Sequence, residues 1–289
     1  MQQTAAETGH APQLPTFIVI GAMKCGTTSL HGYLNTHPDV CMSTDKETDF
    51  FVAEHNFSRG LDWYRGQFAI PARARGESSP NYTKSHLFAG VADRMYAQLP
   101  EARLIYCIRE PVARMVSHYV HNFAHGRESQ PFEQAVAEPE NNYLLTSSYA
   151  RQLQPFVERY GEDALLLVSA ESLRADPLSV MSAIFHHIDV TPGGSAGQFS
   201  QQMHTSGRKK RRSPLEIHVE NPLLRRLIRP LLPRRLTERR SFDRPQVAAG
   251  LRENILGRLA ADRQATAALF QRRGVGELPA YLGAPGGAG

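Results

Sequence analysis

A short apolar run that feeds a glycine-bracketed loop and then a helical pattern constrains this chain more than any other feature. Phe17 to Ile20 is continuous and apolar, as expected of a strand buried on both faces. It runs into Gly21-Ala22-Met23-Lys24-Cys25-Gly26-Thr27-Thr28-Ser29, after which Leu30, Tyr33 and Leu34 fall on one helical face. His37-Pro38-Asp39 stops that helix. The start of a helix presents backbone N–H groups without intrahelical partners, together with a partial positive charge. A glycine loop lets the backbone wrap an anion at that end. Gly21 and Gly26 permit the close turns, Thr27, Thr28 and Ser29 add hydroxyls, and Lys24 adds a charge. An ordinary tight turn with packing glycines would need neither the lysine nor the hydroxyls. The segment therefore predicts an anion cradle.

The rest of the chain repeats the alternation. Leu104 to Ile108 and Leu165 to Val168 read as further buried strands. Helical patterns cover Leu61 to Phe68, His86 to Leu99, Pro111 to Phe123, Ser147 to Tyr160 with a kink at Pro155, Pro177 to His187 and Leu251 to Phe270. Strands alternating with helices predict an α/β, P-loop-type three-layer fold, a central parallel sheet flanked by helices. The 289 residues suit one such domain, over 16–282. The polar start 1–15 and the Gly/Ala/Pro end 283–289 are expected to be disordered tails. Within the domain, 208–244 is arginine-rich and broken by prolines, a basic lid-like segment.

No segment is long and apolar enough to span a bilayer, and the start lacks a basic region followed by an apolar stretch. Cys25, Cys41 and Cys107 form neither a disulfide framework nor a metal-ligand spacing. These features predict a cytoplasmic protein. The net charge of +5 suits an anionic small ligand, nucleic acid or a membrane surface alike.

The commoner phosphate loop is G-x-x-x-x-G-K-[ST]. Here Thr27 follows the second glycine and the lysine stands two residues before it. That displaces the group holding terminal phosphates in nucleoside-triphosphate enzymes and argues against an ATPase or kinase. G-x-x-K-x-G-T-T-S-L after an apolar strand instead resembles the 5'-phosphosulfate loop of sulfotransferases that use 3'-phosphoadenosine 5'-phosphosulfate (PAPS). The resemblance implies that Lys24, Cys25, Gly26, Thr27, Thr28 and Ser29 bind PAPS. It places Lys24 at the bridging oxygen of the leaving group.

Two further segments carry the resemblance. Arg109, at a strand end, and Ser117, eight positions on, match the pair that holds the 3'-phosphate in this family. An arginine at that place can grip phosphate in a bidentate way. His204 to Lys210 resembles the late loop that closes on the 3'-phosphate and adenine. This implies roles for Gly207 and Arg208, with Lys209 a substitute for the lysine that heparan-type members carry where Ser206 stands.

Lys46-Glu47-Thr48-Asp49-Phe50-Phe51 is similar to a segment of the heparan-sulfate sulfotransferases and related bacterial enzymes. It implies that Glu47 is the general base, with Glu77 the second choice. A structural carboxylate is the better reading of Glu77. Asp49 replaces a histidine common in bacterial members, and Ser78 replaces a lysine of heparan-type members. The resemblance runs from Phe17 to Leu282.

Together these readings imply a sulfuryl transfer by in-line attack from PAPS to a hydroxyl, or as second choice an amine, of a small-molecule, carbohydrate or lipid acceptor. The product is adenosine 3',5'-bisphosphate (PAP). No metal is expected, because a sulfuryl group carries less charge than a phosphoryl group. Two alternatives stay open: a small ATP-dependent kinase, and a binding module acting through the basic segment. Leucines and arginines interleave over 223–235, suiting weak contact with a membrane surface. Pro230 and Pro233 interrupt any long helix there, and no specific nucleic acid is expected. Neither the acceptor nor the oligomeric state is readable.

Overall fold

The computed structural model describes residues 13–68, 70–195, 197–199, 210–219 and 221–283. The apolar run extends by one residue into strand β1 (Phe17–Gly21), whose five residues are all buried. It is followed by α1 (Thr27–Leu34), β2 (Val40–Met42), α2 (Gly60–Arg65), β3 (Ala74–Ser78), α3 (Val91–Gln98) and β4 (Arg103–Ile108). Next come α4 (Pro111–Ala124), α5 (Phe132–Ala135), α6 (Asn142–Ser147), α7 (Tyr149–Tyr160), β5 (Leu165–Ser169), α8 (Ala170–Ala175) and α9 (Pro177–His187). The last part holds β6 (Lys210–Arg211), α10 (Pro214–His218), α11 (Pro222–Ile228), α12 (Arg234–Thr237), β7 (Arg240–Ser241), α13 (Ala249–Arg258) and α14 (Ala260–Arg273).

Five strands form one parallel sheet in the order β2-β3-β1-β4-β5, flanked by helices, as the alternation predicts. β1 lies at its centre. From β1 the chain crosses towards β2 on one side, and from β4 it crosses to β5 on the other. The C-terminal ends of β1 and β4 therefore flank a topological switch point, the place where open α/β sheets bind ligands.

Two strands escape the sequence pattern. β2 is only three residues, Val-Cys-Met. β3 reads Ala-Arg-Gly-Glu-Ser, without an apolar signature. It is buried because its polar groups are satisfied. Arg75 donates to the carbonyls of Leu14 (3.0 Å) and Ala72 (2.6 Å), and Glu77 is ringed by hydroxyls. Gly76 permits the close approach of β1: a Cβ there would lie 2.2 Å from Phe17 Cζ and 2.3 Å from Cε2. Phe17 is fully buried and has nowhere to move. Gly76→Ala is thus expected to destabilise the fold by about 1–3 kcal/mol through overpacking, read as a lowered thermal midpoint.

Three helices differ from expectation. The pattern beginning at His86 becomes helical only at Val91. The N–H groups of Leu87 and Phe88 both fold back to the Lys84 carbonyl, and Gly90 turns at φ 67°. Ser147 ends α6, and α7 begins after Ser148 at φ −82°, ψ 78°, with Pro155 inside it. The single helix expected over Leu251 to Phe270 is two, broken at Leu259. A main core lies around the sheet. A second cluster, including Met115, Val116, Phe132 and Ile255, holds α4 against α13.

Candidate active site

The loop after β1 and the end of β4 meet at the switch point. Ala22 N–H donates to the Cys107 carbonyl (2.8 Å), and Arg109 Nη1 donates to the Lys24 carbonyl (3.4 Å). The two segments singled out by sequence are thus in contact. Gly26 adopts φ 92° and opens α1, in which the first intrahelical bond runs from Leu30 N–H to the Gly26 carbonyl. No side chain caps α1 and no acidic residue lies in its first turn. The N–H groups at this end keep their anion-binding capacity. The neighbouring helix α4 is different: Glu110 accepts from Val112 N–H (3.2 Å) and Ala113 N–H (2.6 Å), which fills its N-terminus with a carboxylate. Of the two helices that begin here, α1 alone offers its backbone to an anion. Beside α4, an anion must be held by side chains. Arg109 stands at its mouth, half-buried, and Ser117 is buried two turns in.

Cys25 is fully buried, and burial pushes its thiol up to about 11, so it stays protonated. Its N–H donates to the Ala22 carbonyl (3.2 Å), shaping the loop from within.

Cations that the sequence did not single out gather behind the loop. Arg114 is fully buried and donates to Ser147 Oγ (2.6 Å), the Tyr143 carbonyl (2.6 Å), the Met23 carbonyl (3.3 Å) and His118 Nδ1 (3.3 Å). Among the described residues none of these partners is a carboxylate. Burial lowers its pKa, a sign of a charge held at a cost. Lys84 is likewise buried, with Nζ 2.8 Å from Asn81 Oδ1 and 3.0 Å from Met23 Sδ. Burial first, and then the Arg114 charge, bring its pKa down to about 8. His118 is driven well below its usual value by burial, then by Arg114 and Lys84. It is neutral, as its acceptance from Arg114 requires. Burial, then the Arg109 charge, lowers Arg244. Arg114, Lys84 and Arg244 thus gather around the Lys24 loop and Arg109, a concentration of positive charge suited to a polyanionic ligand. They come from loops and helices far apart in sequence, and no local motif marks them.

The carboxylates lie at the front. Glu47 is exposed and ion-pairs with Lys46 (2.5 Å). Its charge is felt by His31, Asp49 and Lys84, which places it at the same mouth. Asp49 accepts from Asn81 Nδ2 (2.7 Å) and pairs with His55 (3.1 Å) through Oδ2. Its Oδ1 is buried without a hydrogen-bond partner, and burial raises its pKa. Glu77 has no such freedom. It is fully buried and accepts from Tyr64 (2.5 Å), Ser79 (2.6 Å), Tyr82 (2.7 Å) and Thr48. Those bonds anchor Thr48, and with it the loop carrying Glu47 and Asp49. Gly207, Arg208 and Lys209 lie outside the described residues. Among the described residues, no group of three or more His, Cys, Asp or Glu side chains could hold a metal ion, and no helix is long and apolar enough to cross a membrane.

Comparison with known proteins places the chain among sulfotransferases. Human bifunctional heparan sulfate N-deacetylase/N-sulfotransferase 2 is 31% identical over 202 residues, covering 62% of this chain and 22% of that protein. Mouse heparan sulfate glucosamine 3-O-sulfotransferase 5 is 27% identical over 194 residues, covering 62% of this chain and 55% of its own length. The chain thus spans about a fifth to a half of these relatives. A sulfotransferase from Alicyclobacillus acidocaldarius shares the fold, with a TM-score of 0.66 and 23% identity over 90% of this chain and 96% of that one. The sulfotransferase domain profile matches residues 14–222, most of the chain, and the chain belongs to that family.

Proposed function

We propose that this chain transfers a sulfuryl group from PAPS to an acceptor hydroxyl, with an amine as second choice, and releases PAP. The observation that carries the reading is the uncapped start of α1, tied through the Lys24 carbonyl to Arg109 at the switch point. Cys25, Gly26, Thr27, Thr28 and Ser29 would wrap the 5'-phosphosulfate, and Arg109 and Ser117 the 3'-phosphate, with Gly207, Arg208 and Lys209 closing over them. The buried cations fit this cradle, because Arg114 and Lys84 have no carboxylate partner among the described residues. PAPS supplies the sulfuryl group. The acceptor oxygen bonds to sulfur as the bond to the bridging oxygen breaks, and the electron pair stays on that oxygen. Lys24 stabilises the developing charge. Glu47 takes the acceptor proton.

The names of the two relatives support a carbohydrate acceptor. The mouth of this site carries the exposed carboxylate of Glu47 and the partly exposed one of Asp49, which favours an acceptor rich in hydrogen-bond donors. A small molecule or lipid bearing hydroxyls meets the same need.

The deciding experiment titrates the protein with PAP, and separately with ATP plus Mg²⁺, by calorimetry. PAP binding without metal, with ATP much weaker, is expected. ATP binding that requires Mg²⁺, with PAP silent, would turn the reading to a kinase. The same titration across pH tests the cation cluster. Lys84 loses its proton as pH rises through about 8. PAP affinity should therefore fall over that range, and Lys84→Met should weaken binding at neutral pH while flattening the profile. An unchanged profile in the variant would remove Lys84 from the cradle.

A further inference from the structure

The segment between α10 and β7 is amphipathic with its apolar side outward. In α11, Leu223, Leu224 and Leu227 share one face, and the following turn adds Leu231. Leu223 is 72% exposed, Leu227 71% and Leu231 81%, against an interior that buries most other large apolar side chains. Arg225, from α11, and Arg229, at the start of the following turn, line a cleft of about 680 Å³ shared with Ser213, Glu216 and Thr237. Arg226, Arg229, Arg234 and Arg235 are exposed around the leucines. From Asn221 to Ser241 the chain carries seven arginines and a single acid, Glu238.

This outward face sits on an anchored base. Ser213 and Glu216 form a reciprocal cap at the start of α10, and Arg239 grips Glu216 in a bidentate pair (2.7 and 3.0 Å). β6 and β7 pair antiparallel, and Arg211 stacks over the Phe123 ring at 4.3 Å. Packing against the domain leaves the leucines in water.

We propose that this face docks on an anionic lipid surface. The leucines require an apolar partner and the arginines an anionic one; a bilayer of acidic lipids supplies both in one plane. Nucleic acid or a sulfated polysaccharide would satisfy the arginines and leave the leucines exposed. A second copy of the chain would cover the leucines but bring arginine against arginine. Docking this way would hold the sulfotransferase site beside a lipid-borne acceptor, although lipid binding itself does not depend on the catalytic reading.

The test is sedimentation of the full chain with vesicles, either of phosphatidylcholine alone or of phosphatidylcholine and phosphatidylglycerol in equal parts. The expected result is binding to the mixed vesicles, much weaker binding to the neutral ones, and a loss of binding as salt rises. Arg226→Gln and Arg235→Gln should each weaken binding to the mixed vesicles by about five-fold, from about 1 kcal/mol per basic residue at an anionic surface. Leu227→Asp with Leu231→Asp should abolish binding while PAP affinity and thermal midpoint stay unchanged, since both leucines face solvent. Absence of binding to either vesicle would overturn the proposal. So would equal binding by the leucine variant, which would mark a site for polyanions alone. A wild-type dimer that the leucine variant dissociates, without vesicle binding, would assign the face to a second copy.

Discussion

Lys24→Ala is expected to lower turnover by about 10²–10³-fold, the usual loss when one group that stabilises developing oxyanion charge is removed. The side chain rises from a loop whose backbone is fixed on three sides: Ala22 N–H is held by β4, Cys25 N–H folds back to Ala22, and the Lys24 carbonyl accepts from Arg109. Lys24 itself adopts φ 72°, a conformation that costs any residue with a Cβ. Alanine carries the same cost as lysine, so the exchange removes the ammonium and leaves the backbone strain as it was. Glycine would relieve the strain and confuse the comparison. The loss should therefore appear in single-turnover rate with PAPS, with PAP binding weakened far less and the thermal midpoint kept. In the proposed donor site, Arg109, Lys84 and Arg114 would still hold the phosphates in the variant. Wild-type turnover in Lys24→Ala would remove this lysine from the reaction.

The features legible in the sequence were those written in consecutive residues. The β1 loop, Arg109 beside Pro111 and the Glu47 segment each occupy one short stretch, and the structure brings the loop and Arg109 into contact. What could not be read was convergence. Arg114 reaches Met23, Ser147 and Tyr143 across the fold, Lys84 reaches Met23, and Arg244 lies near Arg109. Each alone is an ordinary basic residue on a helix or loop. β3 was hidden for a related reason: its burial rests on satisfied polar groups rather than on an apolar run, as Arg75 and Glu77 show. The break at Leu259 is a backbone event inside a pattern that stays apolar through it. The leucines of α11 read as part of an amphipathic stretch, but only the structure shows that they face solvent.

Glu47→Gln is expected to reduce turnover by about 10²–10⁴-fold, the usual worth of a positioned base, with PAP binding and thermal midpoint near wild type. The amide keeps the shape and hydrogen-bonding reach of the carboxylate and loses the ability to take a proton. Because Glu47 is exposed and pairs with the adjacent, partly exposed Lys46, the exchange strands no buried group. Glu77→Gln provides the contrast. That carboxylate is enclosed by the hydroxyls of Tyr64, Ser79, Tyr82 and Thr48, all donating to it. An amide would turn donors towards donors and force the hydroxyls to rotate, and the penalty should appear as lost stability. If Glu47→Gln kept full turnover, the base would have to be another carboxylate open to the acceptor. Asp49, on the same loop and partly exposed, would then be the candidate, because burial raises its pKa, whereas Glu77 has no lone pair to spare. Asp49→Asn measured beside Glu47→Gln separates the two: loss of turnover in one variant, with PAP binding intact in both, names the group that removes the proton.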